Sequence, residues 1–538
     1  MMENLRITVS QSSAPGTDVL LYRKTRTNSE LLCGAAERFW NSRAYFPVVV
    51  GTAAVFMLSG LNLPGMAVLF AFLIYMHLFC YDLLAGVLPE VLLLLMGAQY
   101  YDNLASLVAF WWTLPVLALS YTYNLMHWRK HLQKSACSKS LAAVAAATLL
   151  GGIGCISAKE YFSVTTLLYG VGLGGGMLLA AVMYSTSMSK PRSYDLGARF
   201  SAILYSIGVF AGFVVVSYYL SHISEIDLSQ GLPFISYRNY LTTMLLVAMP
   251  MPFRFMKDSR KHIAAEAFMY VTLLFTGSRS GLVFGTLMVA CCAFITMSRS
   301  IGRRLSSRRG ITMALPYLAA AACIIFVLGK TVLSSRLVDG QLFPVTDSRI
   351  DFCRQAVLDF LAWPIAGIGL ANMKNSSIFI GVGGSMVWYH NYFAQIIGSM
   401  GLIGVFAYGW LLRDRYALLK RLYENGEVML VMAYAGMLLV SMTNPGEFCP
   451  YPNEFLMVLL FDVAAVVGAA KEESTASDES ISVSWTPAVR PLPQGSYAAL
   501  SNTLSLSEGT NALVFAPEYA GEPAAREPAA ERSKNADI

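Results

Sequence analysis

The chain has 538 residues, is 56% hydrophobic and only 13% charged, and has a mean hydropathy of +0.53. Soluble chains carry about a quarter charged residues, so this composition excludes a soluble globular protein and leaves an all-α polytopic membrane protein. A formal net charge of +6 is too small to argue for a nucleic-acid partner. The nine cysteines lie mostly inside apolar runs, without a CxxC pair or a histidine at ligand spacing, and imply no disulfide framework, no metal site and no cofactor.

Residues 1–45 are polar, carry Arg23, Lys24, Arg26, Arg38 and Arg43, and read as an N-terminal cytoplasmic tail. The first apolar run comes too late for a cleavable signal peptide. A membrane domain over 46–470 then holds fourteen apolar runs: 46–60, 63–80, 83–99, 104–125, 139–158, 161–184, 200–220, 239–252, 263–276, 281–297, 311–333, 390–412, 427–442 and 454–470. Two are short, and the run at 239–252, with Pro250 and Pro252, can borrow turns from "LPFISYR" before it; the expectation is 12–14 transmembrane helices.

Followed in order, these runs place the basic loops "HWRKHLQKSACSK", "SKPRSYDLGAR", "RFMKDSRKH", "SRSIGRRLSSRR" and "RDRYALLKR" on the side of the basic tail. The intervening "YYDN", "SHISEIDLSQGLPFISYR" and "TNPGEFCPYPN" are acidic or neutral. Short loops rich in lysine and arginine stay cytoplasmic, so both termini are expected there. One extracytoplasmic loop, 334–389, is much longer than the others, cancels its own charges, and contains the helix-like "SRIDFCRQAVLDFLAW" ending at Pro364. Loops above about 15 residues are functional or disordered, and the aromatic and glycine content of this one favours a packed loop. Residues 471–538, rich in Ala, Glu, Ser and Pro, read as a disordered cytoplasmic tail.

With this topology Arg279, in "LLFTGSRSGLVFG", falls at the outer membrane boundary with no acidic residue near it in sequence. One reading is an arginine snorkelling to headgroups. The other is a tight turn, flanked by Gly277, Ser278, Ser280 and Gly281, where a helix N-terminus and a guanidinium meet a phosphate together. Arg238 in "FISYRNY", Arg349 in "TDSRIDF" and His390 with Asn391 in "WYHNYF" fall on the same face. Arginine suits bidentate phosphate contact, and two arginines can neutralise a pyrophosphate leaving group without a metal. A neutral imidazole at His390 can take a proton from an attacking sugar hydroxyl, although a lone histidine is more often structural. Glu90 and Asp462, inside apolar runs, are expected to face the bundle interior and a partner.

"LLFTGSRSGL", then "SRIDFCRQAVLDFLAWPIAGIGLANM", then "HNYFAQIIGSMGLIGVFAYGWLL" resemble the core of the O-antigen ligase and O-antigen polymerase superfamily, over roughly residues 232–412. The resemblance implies a metal-independent, inverting, GT-C-like glycosyltransferase that works on the outer face of the bacterial cytoplasmic (inner) membrane. Its donor would be a polyprenyl-diphosphate-linked glycan, such as an undecaprenyl diphosphate, and its acceptor a glycan or glycolipid in lipopolysaccharide or other cell-envelope polysaccharide biosynthesis. Carried over, Arg279 and Arg349 hold the diphosphate and His390 is the general base; Arg238, Ser278, Ser280 and Asn391 complete the binding set. The chain departs from the family in having about fourteen spans rather than about twelve, and in its long tail.

The alternative class is a transporter, for instance a flippase for lipid-linked oligosaccharide. A transporter places its ionisable residues near mid-membrane and often has related halves. Here the candidate cations cluster at the outer boundary and no repeat is evident, which favours the enzyme.

Overall fold

The computed structural model describes residues 28–100, 110–128, 134–151, 170–188, 194–225, 235, 237–256, 259, 261–302, 348–370, 389–444 and 446–481. In chain order its helices are α1 (Asn28–Asn41), α2 (Tyr45–Leu58), α3 (Asn62–Phe79), α4 (Leu84–Tyr100), α5 (Thr113–His127), α6 (Ser138–Leu150), α7 (Met177–Met188) and α8 (Leu196–Ser221). There follow α9 (Arg238–Ala248), α10 (Pro250–Phe255), α11 (Lys261–Phe275), α12 (Arg279–Gly302), α13 (Ser348–Ala362), α14 (Tyr392–Glu424), α15 (Val428–Ser441) and α16 (Phe455–Ile481). No strand occurs among the described residues. Asn62–Phe79, Leu196–Ser221, Ser280–Met297, Tyr392–Glu424 and Tyr451–Ala469 are long and apolar enough to cross a membrane, and α2, α4, α6 and α15 are shorter apolar helices. The protein is an all-α polytopic membrane protein. The expected span at 311–333, and parts of those at 104–125, 139–158 and 161–184, lie outside the described residues, as does most of the tail at 471–538.

The N-terminal segment is not only a polar tail. Helix α1 buries Ala36 and Trp40; the Trp40 ring packs edge-on against Tyr45 at 4.8 Å, and the Arg199 guanidinium lies 4.1 Å over it. The last turns of α1 thus leave Arg38 exposed and bury Ala36 and Trp40 on the other side, an amphipathic pattern too short to register as a span.

Charges inside the helices have partners, as expected of ionic groups that cost several kcal/mol to leave bare in hydrocarbon. Glu90 of α4 accepts hydrogen bonds from Tyr121 of α5 at 2.9 Å, Tyr184 of α7 at 3.4 Å and Tyr451 at 2.8 Å. Asp462 of α16 accepts one from Ser135 at 2.6 Å. At one end of the bundle, Arg254 at the end of α10 pairs with Asp195, the N-cap of α8, at 3.4 Å and with Glu427, just before α15. This knot brings three chain segments to one charged face.

The largest departure from a simple bundle is in α14. The hydrophobic run 390–412 reads as one span, yet the helix breaks at Gly401, with φ 57° and ψ −148°. Tyr392 and Tyr408, which a straight helix would set about 24 Å apart along its axis, have ring centroids 5.9 Å apart. The two limbs, 392–400 and 402–424, therefore fold back on each other as a helical hairpin. Broken helices leave amides and carbonyls without partners, a heavy cost in a membrane protein. Residues 364–369, directly after α13, satisfy them: Leu402 N and Ile403 N donate to the carbonyls of Pro364 (2.9 Å) and Ile365 (3.1 Å), while Ile368 N and Gly369 N donate to those of Gly398 (3.1 Å) and Ser399 (2.9 Å). Ala356, Ile368, Tyr389 and Ala394 close a small core of their own between α13 and the first limb.

A second departure is the connection 442–454. The sequence reads it as an outer loop, but Asn444, Glu447, Phe448, Asn453 and Glu454 are all buried. The physical reason is length. Helix α15 has 14 residues, about 21 Å against a hydrocarbon core of about 30 Å, so its far end stops short of the opposite boundary and the polar turn after it lies within the protein. Its backbone makes a 3₁₀ turn (Gly446–Phe448) and a π turn (Pro450–Glu454) before α16 begins.

Candidate functional site

The turn that raised the phosphate reading joins α11 to α12. Gly277 sits at φ 66°, a left-handed conformation that strains any residue with a Cβ. That reversal lets Ser278 cap α12: its Oγ accepts from Gly281 N at 3.2 Å, the N3 position of the helix, while Leu282 N donates to Ser278 O at 3.0 Å. The helix starts at Arg279, two residues before the expected run at 281–297, so Arg279 occupies the N1 position. Replacing Ser278 with alanine should cost about 1 kcal/mol, read as a lower thermal midpoint of the purified protein; an unchanged midpoint would mean that the cap carries no weight.

Two neighbours fasten this turn. Thr276 Oγ1 and Thr242 Oγ1 of α9 lie 3.2 Å apart. Arg238, the first residue of α9, is one turn before Thr242 and on the same face, so its backbone stands at the same corner. Ser278 Oγ and Ser280 Oγ are 3.1 Å apart, and Asn444 Nδ2 donates to Ser280 Oγ at 3.4 Å. No local pattern singles out Thr242, Thr276 or Asn444; a lone threonine or asparagine at the end of an apolar run is indistinguishable from an ordinary boundary residue.

Asn391 caps the first limb of α14. Its Oδ1 accepts from Phe393 N (3.0 Å) and Ala394 N (3.1 Å), and its Nδ2 donates to Met442 O at 3.3 Å. Met442 and Asn444 are two residues apart, at most about 7 Å between their Cα atoms. The 442–444 turn therefore holds the start of α14 with one hand and the start of α12 with the other. The N-termini of α12 and α14 are tied to it, and each adds partial positive charge and first-turn amides, while α9 joins the start of α12 through Thr242 and Thr276.

His390 precedes that cap at φ 53°, the one non-glycine residue with positive φ among the described residues. Strained conformations persist only where neighbours enforce them. On one side Asn391 is fixed by its cap; on the other, Tyr389 N donates to Gln395 Oε1 (3.0 Å), and Gln395 is itself held by Ser399 Oγ (2.6 Å). The Tyr389 hydroxyl donates to Asp359 of α13 at 2.6 Å, and Gln355 Nε2 donates to the same carboxylate at 2.8 Å. Burial pushes the Asp359 carboxyl above its usual range, and these two donors pull it partly back. The His390 ring lies 5.3 Å from Phe352 of α13. Arg349 is three residues before Phe352, in the first turn of the same helix and on the same face.

Of the residues expected at the site, Ser278, Ser280 and Asn391 are joined through 442–444; Arg279 begins α12 and Arg238 begins α9, which meets the α11–α12 turn through Thr242; and His390 adjoins α13, whose first turn holds Arg349. Residues 264–409 match the O-antigen ligase family model. This similarity, together with the apolar helices, supports the O-antigen ligase and polymerase resemblance and a glycan-transferring role at the membrane in O-antigen or related polysaccharide biosynthesis. The ligase-family core runs from α11 into the second limb of α14, so it includes Arg279, Arg349 and His390, while Arg238 and the 442–454 segment lie outside it. No curated protein matches the chain.

Proposed function

We propose that the protein is an inverting, metal-independent glycosyltransferase of O-antigen ligase or polymerase type. It takes a glycan from a polyprenyl diphosphate on the outer face of the bacterial inner membrane and passes it to a hydroxyl of a glycan or glycolipid acceptor. Both termini then lie in the cytoplasm. The observation that carries this reading is that the 442–444 turn ties together the starts of α12 and α14, the first beginning at Arg279 and the second preceded by His390.

In this reading Arg279 and Arg349 hold the diphosphate, assisted by Arg238 and the hydroxyls of Ser278 and Ser280. As the anomeric bond breaks, charge develops on the leaving phosphate, and preorganised cations and helix amides stabilise it more than they stabilise the intact donor. His390 takes the proton from the acceptor hydroxyl as that oxygen attacks from the opposite face, and Asn391 holds the backbone that presents it. The lipid diphosphate is already an activated leaving group, so orientation and charge stabilisation carry most of the burden.

Arg279→Lys separates this reading from snorkelling. Lysine reaches headgroups as well as arginine but lacks the planar fork for bidentate phosphate contact. Turnover should fall by about a hundredfold, the scale of losing one such electrostatic contact. The measurement is the size distribution of lipid-linked and surface glycans in a deletion strain carrying the variant. Accumulation of single lipid-linked units points to a polymerase and of unattached long chains to a ligase; a wild-type pattern rejects the diphosphate role. Broken helices such as α14 also occur in transporters. A flippase would strand the lipid-linked unit in the cytoplasmic leaflet, whereas a transferase leaves it outside.

A further inference from the structure

We propose that Arg415 is a positioning residue for the site: by clasping both ends of 447–454, it fixes the re-entrant segment whose 442–444 turn holds the starts of α12 and α14 together. The proposal rests on the reading above for its consequence in catalysis, but its geometric part stands independently.

Arg415, on the second limb of α14, is 1% exposed. Its Nη1 donates to Glu447 at 2.5 Å and its Nη2 to Glu454 at 2.6 Å. The guanidinium also lies 4.8 Å from the Phe461 ring centroid and 5.7 Å from that of Tyr434. One planar fork therefore closes the eight-residue stretch 447–454, and only arginine has two separate Nη groups at the angle this needs. Burying three ionic groups is a poor way to gain stability, because desolvation offsets the attraction. What such a cluster can supply is a single register for a segment that has no regular hydrogen-bond ladder of its own.

The segment needs that help. Between α15 and α16 the backbone is irregular, held by local ties such as Cys449 N to Gly446 O at 3.1 Å, Glu454 N to Cys449 O at 3.2 Å and Asn453 Nδ2 to Gly446 O at 2.8 Å, and by Glu447 N to Ser441 Oγ of α15 at 3.2 Å. Irregular backbone at membrane depth persists only when protein groups hold it. Its second external anchor is Tyr451, whose hydroxyl donates to Glu90 of α4 at 2.8 Å. The segment reaches the site through Met442 O and Asn444 Nδ2, and through Phe448, whose ring lies 5.4 Å from that of Tyr392 at the start of α14. Neither Arg415 nor the segment lies in the matched 264–409 stretch.

The test uses the full-length protein in nanodiscs, with a Ser280→Cys/Asn444→Cys pair linked by a short bifunctional thiol reagent and the joined peptides identified by mass spectrometry. Arg415→Lys keeps the charge and loses the fork. Its expected results are a clear fall in the 280–444 link and, without the cysteine pair, a drop in turnover per folded molecule on the order of tenfold to a hundredfold. If Arg415→Lys does not fold, Tyr451→Phe, which removes one hydroxyl at the other anchor, and Glu454→Gln take its place with the same expected direction. An unchanged link in a folded variant overturns the proposal whatever the turnover. A loosened link with unchanged turnover per folded molecule overturns the positioning role. Failure of the glycosyltransferase reading shows separately, as no glycan transfer from a purified lipid-linked donor by the wild-type protein.

Discussion

His390→Asn should abolish glycan transfer while leaving the fold intact. The choice of asparagine matters because His390 stands at φ 53°. Alanine tolerates that conformation less well than histidine or asparagine, so a dead alanine variant would mix lost chemistry with a displaced cap. Asparagine tolerates the left-handed region and has no group able to accept a proton at neutral pH. Removing a general base costs about 10²–10⁴-fold in rate. The measurement is turnover of a purified lipid-linked donor, alongside the thermal midpoint. Loss of turnover at an unchanged midpoint assigns His390 to chemistry; retained turnover would make it a structural residue whose role is the turn before Asn391.

Gly401→Val should fail to give folded protein. Gly401 lies at φ 57°, ψ −148°, a region open essentially to glycine alone, which by itself costs another residue about 1–3 kcal/mol. The second cost is steric: a Cβ there would meet the carbonyl oxygen of Pro364 at 2.6 Å and the carbonyl carbon of Ile365 at 2.8 Å. These are backbone atoms that also accept from, or adjoin the acceptors of, Leu402 N and Ile403 N, so they cannot retreat without breaking the bonds that close the hairpin. The control is Gly409→Ala on the same helix, where no atom lies within 4 Å of the added Cβ. It should be neutral or slightly stabilising, since alanine exceeds glycine in helix propensity by about 1 kcal/mol. The yield of monodisperse protein after extraction decides: equal yields for the two variants would mean that the break is not required by the fold.

The two expectations meet in the same hairpin. Its first limb presents Asn391 and His390, its break is closed by the residues following α13, and its second limb carries the arginine that secures 442–454. A disturbance at any of these points should reach the site through backbone position rather than through charge.

Much of the helix inventory was legible because hydrocarbon accepts only apolar helices with their backbone groups paired, so the runs at 46–60, 63–80, 83–99, 200–220, 263–276, 281–297 and 427–442 coincide with α2, α3, α4, α8, α11, α12 and α15 to within a few residues. Ser278, Arg279, Ser280 and Asn391 stood out for the same reason: polar groups are costly among apolar runs, and capping side chains mark helix starts. Glu90 and Asp462 were legible as groups needing partners, though not which partners; Glu90's three tyrosines come from α5, α7 and the 442–454 segment.

Direction and depth were not legible. Hydropathy is blind to a reversal, so "IIGSMGLIGVF" reads the same whether Gly401 continues the helix or folds it back. A polar turn such as "TNPGEFCPYPN" reads as water-facing unless its carboxylates are known to meet Arg415, and that meeting depends on where the second limb of α14 lies. Local patterning determined which residues form helices and which polar groups must be paired, because those costs are paid residue by residue. Only the tertiary structure decided which helix ends share a corner, because that depends on contacts between segments far apart in the chain, whose pairing no local period encodes.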